Sequence, residues 1–523
     1  MIQNKKPVVL CVIDGFGLSS TWRGNAIFSA SPKNFFEIWG NYIHHLLAYS
    51  SKNPSSAVYD NPERYLASLL RGREVESERE YIDNQIKKEL LSSNDVLKGA
   101  FKQALDRNSS LHLIGNLSED SGKYSNFEHL LSLLELAKEK NLFRVFVHLI
   151  IDSTLDYKQI LKGIQRLEMK INQTGLGEIA SICGLNFIQE DKKSFLDFSK
   201  AYKAIVEGRG NSYLSAEQAI NKNKDTFDSP SNFPPSVVTS KDDPIGVISD
   251  FDSIIFFNHN NSDLTKLILA FSSSSDSSRL PSPKFLYLAT FFDYILPKPD
   301  GLNVLFKRAG TIDLPHILCG AGLNQLYISD STRMLSIKSQ LNGFKEISGQ
   351  PSEDFVPVLD YKQYLNNPKP IIYEIFSKTV SAVKEKKYDF IFIDVPCIDE
   401  IASNGTFGQA LNATKMVDNF LPVLLEAVLN EGGVLIITST YGNAEKMVRR
   451  DQYEILNGRT LDPVPFILAS SESKKEMKSS SIVSELMYDM ITKKNYLRDI
   501  APTIIELFNL PIPTEFTGHN LMS

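Results

Sequence analysis

The sequence predicts an α/β protein built from parallel β-sheets with helices on both faces. Short apolar runs alternate along most of the chain with stretches whose leucines recur at helical spacing. Within the runs, apolar and polar residues do not alternate, which is typical of strands buried on both faces of a sheet. Because 523 residues are too many for one compact core, we also expect two or three domains.

The first predicted strand covers residues 8–13 and runs directly into Asp14 and Gly15. Chemistry in such sheets gathers at the carboxyl ends of the strands, so Asp14 is a candidate for holding a metal or a reactive group. The alternative is that Asp14 only closes a turn, because Asp and Gly are common turn residues.

The remaining elements follow the same alternation. Further strands are predicted at residues 111–115, 143–152, 253–258, 388–395 and 432–440. Helices are predicted most clearly at residues 127–141 and 157–171. Polar stretches predict loops at residues 221–244, 272–278 and 470–481. This order indicates βαβ units and therefore parallel pairing.

Composition and charge exclude several classes of function. A formal net charge of −6 leaves no basic face for nucleic acid or for a membrane surface. No segment approaches the ~20 apolar residues of a membrane span, and the apolar run after Lys5 and Lys6 is too short for a signal peptide. The four scattered cysteines contain no CxxC pair, which favours buried thiols in a reducing compartment. We therefore expect a cytoplasmic protein.

Common cofactor motifs are missing from the sequence. The GxG at residues 175–177 follows a helical pattern and does not extend to GxGxxG, and no GxxxxGK[ST] occurs. The eight histidines show no HxxxH or HExxH spacing, and His148, inside an apolar strand, is predicted to be a hydrogen-bonded core residue. Asp152, Asp394 and Asp399 lie, like Asp14, at or just after strand ends, where each can bind a divalent cation or cap the next helix.

Several phrases in a fixed order then identify a family resemblance. They are VVLCVIDGFG, GNAIFSASPKNF, HLLSLLELAKEKN, YGNAEKM, DPVPFIL and LRDIAPTIIELFNLPIPTEFTG. By these phrases the chain resembles the cofactor-independent (2,3-bisphosphoglycerate-independent) phosphoglycerate mutases of the alkaline phosphatase superfamily. The resemblance extends from Val8 to Leu521, which is essentially the whole chain.

The resemblance implies two domains with different duties. A phosphatase-like domain would comprise residues 1–77 and 302–523 and would, in the family, carry two divalent metals, usually manganese, and a phosphorylated serine. An inserted αβ domain of the substrate-binding type would comprise residues 78–301 and grip the phosphoglycerate. Chemistry in the family occurs in the cleft between the two domains.

The residues that the family uses for chemistry are largely replaced. Pro62 stands at the position of the nucleophilic serine, between the retained Asn61 and Glu63. Proline offers neither a nucleophile nor a metal ligand. Of seven ligand positions only Asp14 and Asp399 remain, and the other five carry Pro62, Ser403, Thr440, Tyr441 and Arg459. Because two carboxylates from different sites cannot hold two manganese ions, we expect no metal cofactor.

The inserted domain shows the same replacements. Tyr124 stands at the position of the family's catalytic histidine. Among the positively charged positions of the family's cleft, only that of a lysine in the phosphatase-like domain keeps a positive charge, and it carries Arg333. Arginine matters at such positions because its guanidinium group pairs bidentately with phosphate and carboxylate. Positions of family phosphate-binding residues, mainly arginines, carry Thr154, Leu155, Leu185, Asp191, Asn260 and Asp263.

These replacements predict a pseudoenzyme with the mutase fold, no phosphoglycerate binding, and a binding or assembly role with an unidentified protein partner. Asp14 is then a structural carboxylate that bonds to backbone N–H groups of its turn. Two alternatives remain open. One is an active mutase that interconverts 3- and 2-phosphoglycerate in glycolysis. The other is a hydrolase or transferase with a site rebuilt from Asp14, Asp399, Asp120 and Tyr124.

Overall fold

The chain divides into two compact units. One comprises Met1–Val75 and Gly310–Ser523, and the other Glu76–Ala309. The computed structural model describes residues 6–49, 63–76, 78–118, 124–188, 195–226, 229–272, 280, 283–292, 299–306, 312–341, 351–447, 459–474 and 495–522. Among these residues, no helix is long and apolar enough to cross a membrane.

The first unit contains one mixed, mostly parallel sheet. Its strands are β1 (Val8–Val12), β2 (Ile43–Ala48), β12 (Gln325–Asp330), β13 (Ser352–Val356), β14 (Phe390–Asp394), β15 (Val434–Thr438), β16 (Val464–Ala469) and β17 (Asn495–Tyr496). They pair in the order β13-β12-β14-β1-β15-β16-β2-β17. Only β16 runs antiparallel to its neighbours β15 and β2. The apolar run predicted at residues 8–13 is therefore a central strand of this sheet.

Helices cover both faces of this sheet. They are α1 (Ala26–Ala30), α2 (Lys33–Asn41), α3 (Glu63–Arg71), α11 (Leu314–Gly320), α12 (Met334–Gln340), α13 (Tyr361–Asn366), α14 (Lys369–Glu385), α15 (Cys397–Asn404), α16 (Phe407–Asn430) and α17 (Ile500–Leu507). Val9 and Cys11 of β1 pack in a core with α14 and α16, whereas Val8, Leu10 and Val12 pack in a second core with α3 and α17. This two-sided burial explains why the strand sequence shows no alternation.

The second unit has its own sheet. Its strands are β3 (Leu111–Asn116), β4 (Val145–Ile151), β5 (Glu178–Gly184), β6 (Asn211–Tyr213), β7 (Ser236–Ser240), β8 (Asp243–Pro244), β9 (Ser253–Phe256), β10 (Tyr287–Thr290) and β11 (Leu302–Val304). They pair in the order β11-β10-β9-β3-β4-β5-β7-β6, with β8 on β7. Its helices are α4 (Glu78–Lys87), α5 (Asp95–Asp106), α6 (Phe127–Glu139), α7 (Tyr157–Thr174), α8 (Phe195–Val206), α9 (Ala216–Asn223) and α10 (Thr265–Phe271).

Two sequence-based expectations need correction. The boundary predicted between residues 301 and 302 is too early, because Leu302–Val304 pairs with Tyr287–Thr290 in the sheet of the second unit. The predicted loop at residues 221–244 contains β7, whose Ser236–Ser240 pairs with both β5 and β6. The serines and the threonine of β7 give it a polar composition, which predicted a loop, although the strand is buried over most of its length. Most of the other two predicted loops lies outside the described residues.

Candidate functional site

The side chains singled out in the first unit meet at one edge of its sheet. Strands β14, β1 and β15 are parallel neighbours, so the segments that follow them emerge at the same edge. These segments carry Asp399, Asp14 and Tyr441, while Arg333 follows the parallel strand β12. Strand β16 runs the opposite way, so Arg459, which precedes it, reaches the same edge. The topology thus assembles residues that are far apart in sequence.

Asp14 is buried, and both of its carboxylate oxygens have polar partners. Its Oδ1 accepts hydrogen bonds from the backbone N–H of Thr440, at 3.2 Å, and from the hydroxyl of the same residue. Its Oδ2 lies 3.3 Å from Nη2 of Arg333. The expectation that Asp14 bonds to its own turn is therefore wrong, because the neighbouring parallel strand presents Thr440 instead.

Asp399 is the centre of the cluster, and its side chain is 1% exposed. Its Oδ2 accepts from Nη2 of Arg333 at 2.8 Å, from Nη2 of Arg459 at 3.0 Å and from the hydroxyl of Tyr441 at 2.9 Å. Its Oδ1 accepts from Nδ2 of Asn443 at 2.7 Å. Burial alone would raise the pKa of this carboxyl, but Arg459 and Arg333 outweigh burial and hold the pKa below its usual range. Asp399 is therefore an ionised, saturated acid.

Gly15 allows the close approach of Asp14 and Asp399. The backbone N–H of Asp399 donates to the carbonyl of Asp14 at 3.2 Å. A Cβ on Gly15 would lie 2.7 Å from the backbone nitrogen of Asp399, and the φ of Gly15 is +84°. Only glycine combines that conformation with that contact. The glycine after Asp14 is thus explained by packing between two segments of the cluster.

The two arginines surround the ring of Tyr441. The guanidinium carbon of Arg459 lies 4.6 Å from the ring centroid, and that of Arg333 lies 5.8 Å from it. Arg333 also bonds to the Tyr441 hydroxyl. Burial acts to lower the pKa of both guanidinium groups, but Tyr441 and the adjacent acids, Asp399 and for Arg333 also Asp14, hold it above the usual value. Two fixed positive charges therefore balance the two carboxylates.

Two further acids lie near the cluster: Asp394, which the sequence predicted as a strand-end candidate, and Glu445, which it did not single out. Burial, reinforced by Asp14, raises the pKa of Asp394 well above its usual value, although Ser329 donates to this carboxyl at 3.3 Å. Burial also raises the pKa of Glu445 to about 7. Its carboxylate accepts from the backbone N–H of Asn443 at 2.8 Å and from the hydroxyl of Thr460. Asp394 precedes Asp399 at the end of β14, and Glu445 follows Tyr441, so both acids lie close in sequence to residues of the cluster.

The donor set of the cluster does not fit two divalent metal ions. Manganese needs several oxygen or nitrogen ligands for each ion. The described residues include no group of three or more His, Cys, Asp or Glu side chains arranged to hold a metal. Asp14 and Asp399 already accept from guanidinium, hydroxyl and amide donors, and Ser403 accepts from Nδ2 of Asn443 at 2.8 Å. Pro62, at the family's nucleophile position, lies outside the described residues.

The candidate residues of the second unit are buried or hydrogen-bonded among themselves. Burial, together with Asp263, raises the pKa of Tyr124 above its usual value. Thr154 donates its backbone N–H to Asp152 at 2.7 Å. Leu155 and Leu185, at positions of family phosphate-binding residues, are packed in the two apolar cores of this unit. Asn260 donates its backbone N–H to the Tyr124 carbonyl at 3.0 Å. Asp120 and Asp191 lie outside the described residues.

Comparison with known proteins supports the fold and the family. The chain has the two-sheet α/β fold of a solved Leishmania mexicana phosphoglycerate mutase. The two structures match over 98% of this chain and 97% of the other, with a TM-score of 0.76 at 23% identity. The family model for the BPG-independent PGAM N-terminus matches residues 82–295.

Two curated bacterial relatives cover the whole chain. A 2,3-bisphosphoglycerate-independent phosphoglycerate mutase of Clostridium perfringens (strain SM101) is 30% identical over 99% of this chain and 100% of its own length. A protein of the same description from Clostridium tetani is 28% identical over 99% of both chains. The chain therefore belongs to the 2,3-bisphosphoglycerate-independent phosphoglycerate mutase family.

Proposed function

We propose that this member of the family has no mutase activity and acts through binding or assembly with another protein. The observation that carries the proposal is the saturation of Asp399. Its Oδ2 is bonded to Arg333, Arg459 and Tyr441, and its Oδ1 to Asn443. A metal ion at Asp399 would have to displace the buried guanidinium group of Arg333 and the partly exposed one of Arg459, and both cations would then lie beside a dication without this counter-ion.

The state of the second unit agrees with this proposal. Phosphoglycerate carries phosphate and carboxylate groups, which arginine forks recognise bidentately. Leu155 and Leu185 are core residues and cannot provide such contacts. Asp263, at another of the family's arginine positions, adds a negative charge instead. We therefore propose that neither 3-phosphoglycerate nor manganese is a ligand of this chain. We also propose that the protein is cytoplasmic, because its four scattered cysteines contain no CxxC pair.

An active mutase is the second candidate. It is favoured by the identity of 28–30% to curated mutases over nearly the full length of both chains. An inactive binding protein of the same family would have the same fold and a comparable overall identity. The two candidates differ in metal content, substrate binding and turnover, so all three can be measured on the same preparation.

The experiment combines a coupled mutase assay with elemental analysis. The chain is dialysed against manganese and assayed beside the Clostridium perfringens mutase. We expect no turnover above the blank, well under one manganese ion per chain, and no thermal shift with millimolar 3-phosphoglycerate, since a ligand of the native state would raise stability. Stoichiometric manganese, or turnover that the Asp14→Ala variant abolishes, would establish the active mutase instead.

A further inference from the structure

A half-open groove lies on the second unit between α5 and the carboxyl-terminal end of α6. Its cavity volume is about 300 Å³. The floor is apolar and is formed by the buried side chains of Leu97, Phe101 and Leu136. The remaining lining residues are Ser92, Lys98, Lys102, Leu105, Asp106 and Lys140. The groove exists because α5 packs over β9 and β10 while α6 packs against α7 and α4, which leaves a gap in the helical layer.

The rim of the groove is basic although the whole chain is acidic. Lys98, Lys102 and Lys140 face a single rim acid, Asp106, in a protein of formal net charge −6. Lys98 also pairs with Asp95 at 3.2 Å, but both side chains of that pair are more than half exposed. Exposed pairs of this kind are weak, so they do not prevent the lysines from meeting an anionic partner. The rim thus complements an acidic ligand.

Exposed apolar side chains lie on the rim of the groove and on the segments that flank it. Leu105, on the rim, is 41% exposed, and Leu90, next to the short turn that contributes Ser92, is 43% exposed. Phe143 is 81% exposed and follows the end of α6. Its neighbour Arg144 donates to Asn108 just beyond α5, so Phe143 lies near the ends of both helices. Exposed apolar side chains beside an apolar groove with a polar rim are typical of an interaction site.

We propose that this groove binds an amphipathic α-helix of a partner protein whose apolar face is flanked by Asp and Glu. Two helices that leave an apolar gap accept a third helix through residues at i, i+3, i+4 and i+7. Lys98 and Lys102 lie one helical turn apart on α5, so they can meet acids on one flank of that helix. Lys140 can meet acids on the other flank.

The inference gives the binding role of the proposed function a location and a partner chemistry, and it rests on that proposal. It commits to a protein helix because the groove is open along α5 and has a charged rim on two sides. An anionic lipid surface would use the same lysines, but the apolar residues of the floor are recessed and buried, where a flat bilayer surface would not reach them.

The test measures binding of a synthetic peptide of about 20 residues, an amphipathic helix with leucines on one face and glutamates on both flanks. The full chain is titrated by fluorescence anisotropy. We expect micromolar binding that weakens with salt, and at least about a tenfold loss in the Lys98→Glu/Lys102→Glu variant. The matched control is Lys158→Glu/Lys162→Glu, which reverses two exposed lysines one turn apart on α7 and should bind like the wild type.

Several outcomes would overturn the proposal. These are equal binding to both variants, equal binding of a peptide with lysines in place of glutamates, or binding of phosphatidylserine vesicles without binding of the peptide. A Leu105→Asp variant tests the apolar contact and should also weaken binding. Circular dichroism checks that each variant is folded. Mutase turnover by the wild type would overturn the proposed function alone, whereas loss of peptide specificity in an inactive protein would overturn the groove alone.

Discussion

The Nη2 atom of Arg459 lies 3.0 Å from Oδ2 of Asp399, at a position where the family resemblance places a histidine ligand. A fixed cation therefore neutralises an acid that in relatives would be neutralised by a metal. The Arg459 side chain is 31% exposed, whereas Arg333, on the same oxygen, is 11% exposed. Asp399 thus pairs with one partly exposed arginine and one buried arginine, and we infer that the cluster stabilises the fold.

The first prediction concerns the stability contribution of Asp399. The Asp399→Asn variant should lower the free energy of unfolding by about 3–5 kcal/mol, because it leaves Arg333 buried without its main counter-ion. Chemical denaturation at pH 7 measures this change. Glu385→Gln, an exposed residue at the end of α14, removes the same charge and should change stability by less than about 0.5 kcal/mol. A small effect of Asp399→Asn would contradict the ion-pair account.

Asp394 provides a prediction of opposite sign. Its folded-state pKa is raised by burial, so the folded protein binds more protons than the unfolded chain above pH ~4, and this residue costs stability as pH rises. The Asp394→Asn variant should therefore gain about 1.4 kcal/mol over wild type for each pH unit above the unfolded pKa, until the folded pKa is reached. Denaturation between pH 4 and pH 8 measures the gain.

The control for Asp394 is Asp394→Ala. It removes the same titration but also leaves space in the core and the Ser329 hydroxyl without this acceptor, so it should be less stable than Asp394→Asn at every pH. If Asp394→Asn proved less stable than wild type at pH 8, an ionised Asp394 would be required by the cluster and our assignment would be wrong.

Four buried side chains form a hydrogen-bonded row across the second sheet. Asp252 lies 3.1 Å from Nε2 of His112, Nδ1 of His112 lies 2.9 Å from Nε2 of His148, and Nδ1 of His148 lies 2.8 Å from the hydroxyl of Ser181. With neutral imidazole rings, the whole row is hydrogen-bonded when Ser181 donates to His148, His148 donates to His112, and His112 donates to Asp252. Burial, with the adjacent His112, holds the pKa of His148 well below its usual range.

The third prediction follows from this row. The unfolded chain binds a proton at His148 near pH 6.5 that the folded chain excludes, so stability is present above that pH and is lost as pH falls. Wild type should lose about 1.4 kcal/mol between pH 7.5 and pH 5.5 from this residue, and His148→Asn should lose correspondingly less. Ser181→Ala lowers overall stability but keeps His148, so it should retain the wild-type slope. Equal slopes for wild type and His148→Asn would exclude the mechanism.

The sequence predicted this fold best where the apolar pattern is continuous. Residues 8–13, 388–395 and 432–440 were predicted as buried strands, and they contain three adjacent strands of one sheet. The buried, hydrogen-bonded state of His148 was also predicted correctly. Strand β7 was missed because Ser236, Thr239 and Ser240 give it a polar composition, although its pairing with two strands buries most of it.

Partners within the candidate site could not be predicted in the same way. Asp14, Arg333 and Asp399 could be aligned with family positions, but that Arg333 contacts both acids follows from the order of strands β12, β14 and β1. Asn443 belongs to a recognised phrase, yet its amide binds Asp399 only because parallel strands end at one edge. Long-range side-chain contacts of this kind depend on topology, which local patterns do not specify.

The last prediction tests whether the arginine cluster is what excludes metal. A combined variant with Ser403→His, Thr440→Asp, Tyr441→His and Arg459→His places metal-binding side chains next to Asp14 and Asp399 and removes one of the competing guanidinium groups. It should bind manganese, and its stability should rise with manganese by about 2.7 kcal/mol at a hundredfold excess over Kd, because only the folded chain assembles the ligands. Calorimetric titration and denaturation with and without manganese measure both effects. The single Arg459→His variant keeps Tyr441 and Thr440, so it should bind manganese far more weakly than the combined variant. Equal manganese binding by the wild type, the single variant and the combined variant would show that the arginines do not stand in place of the metals.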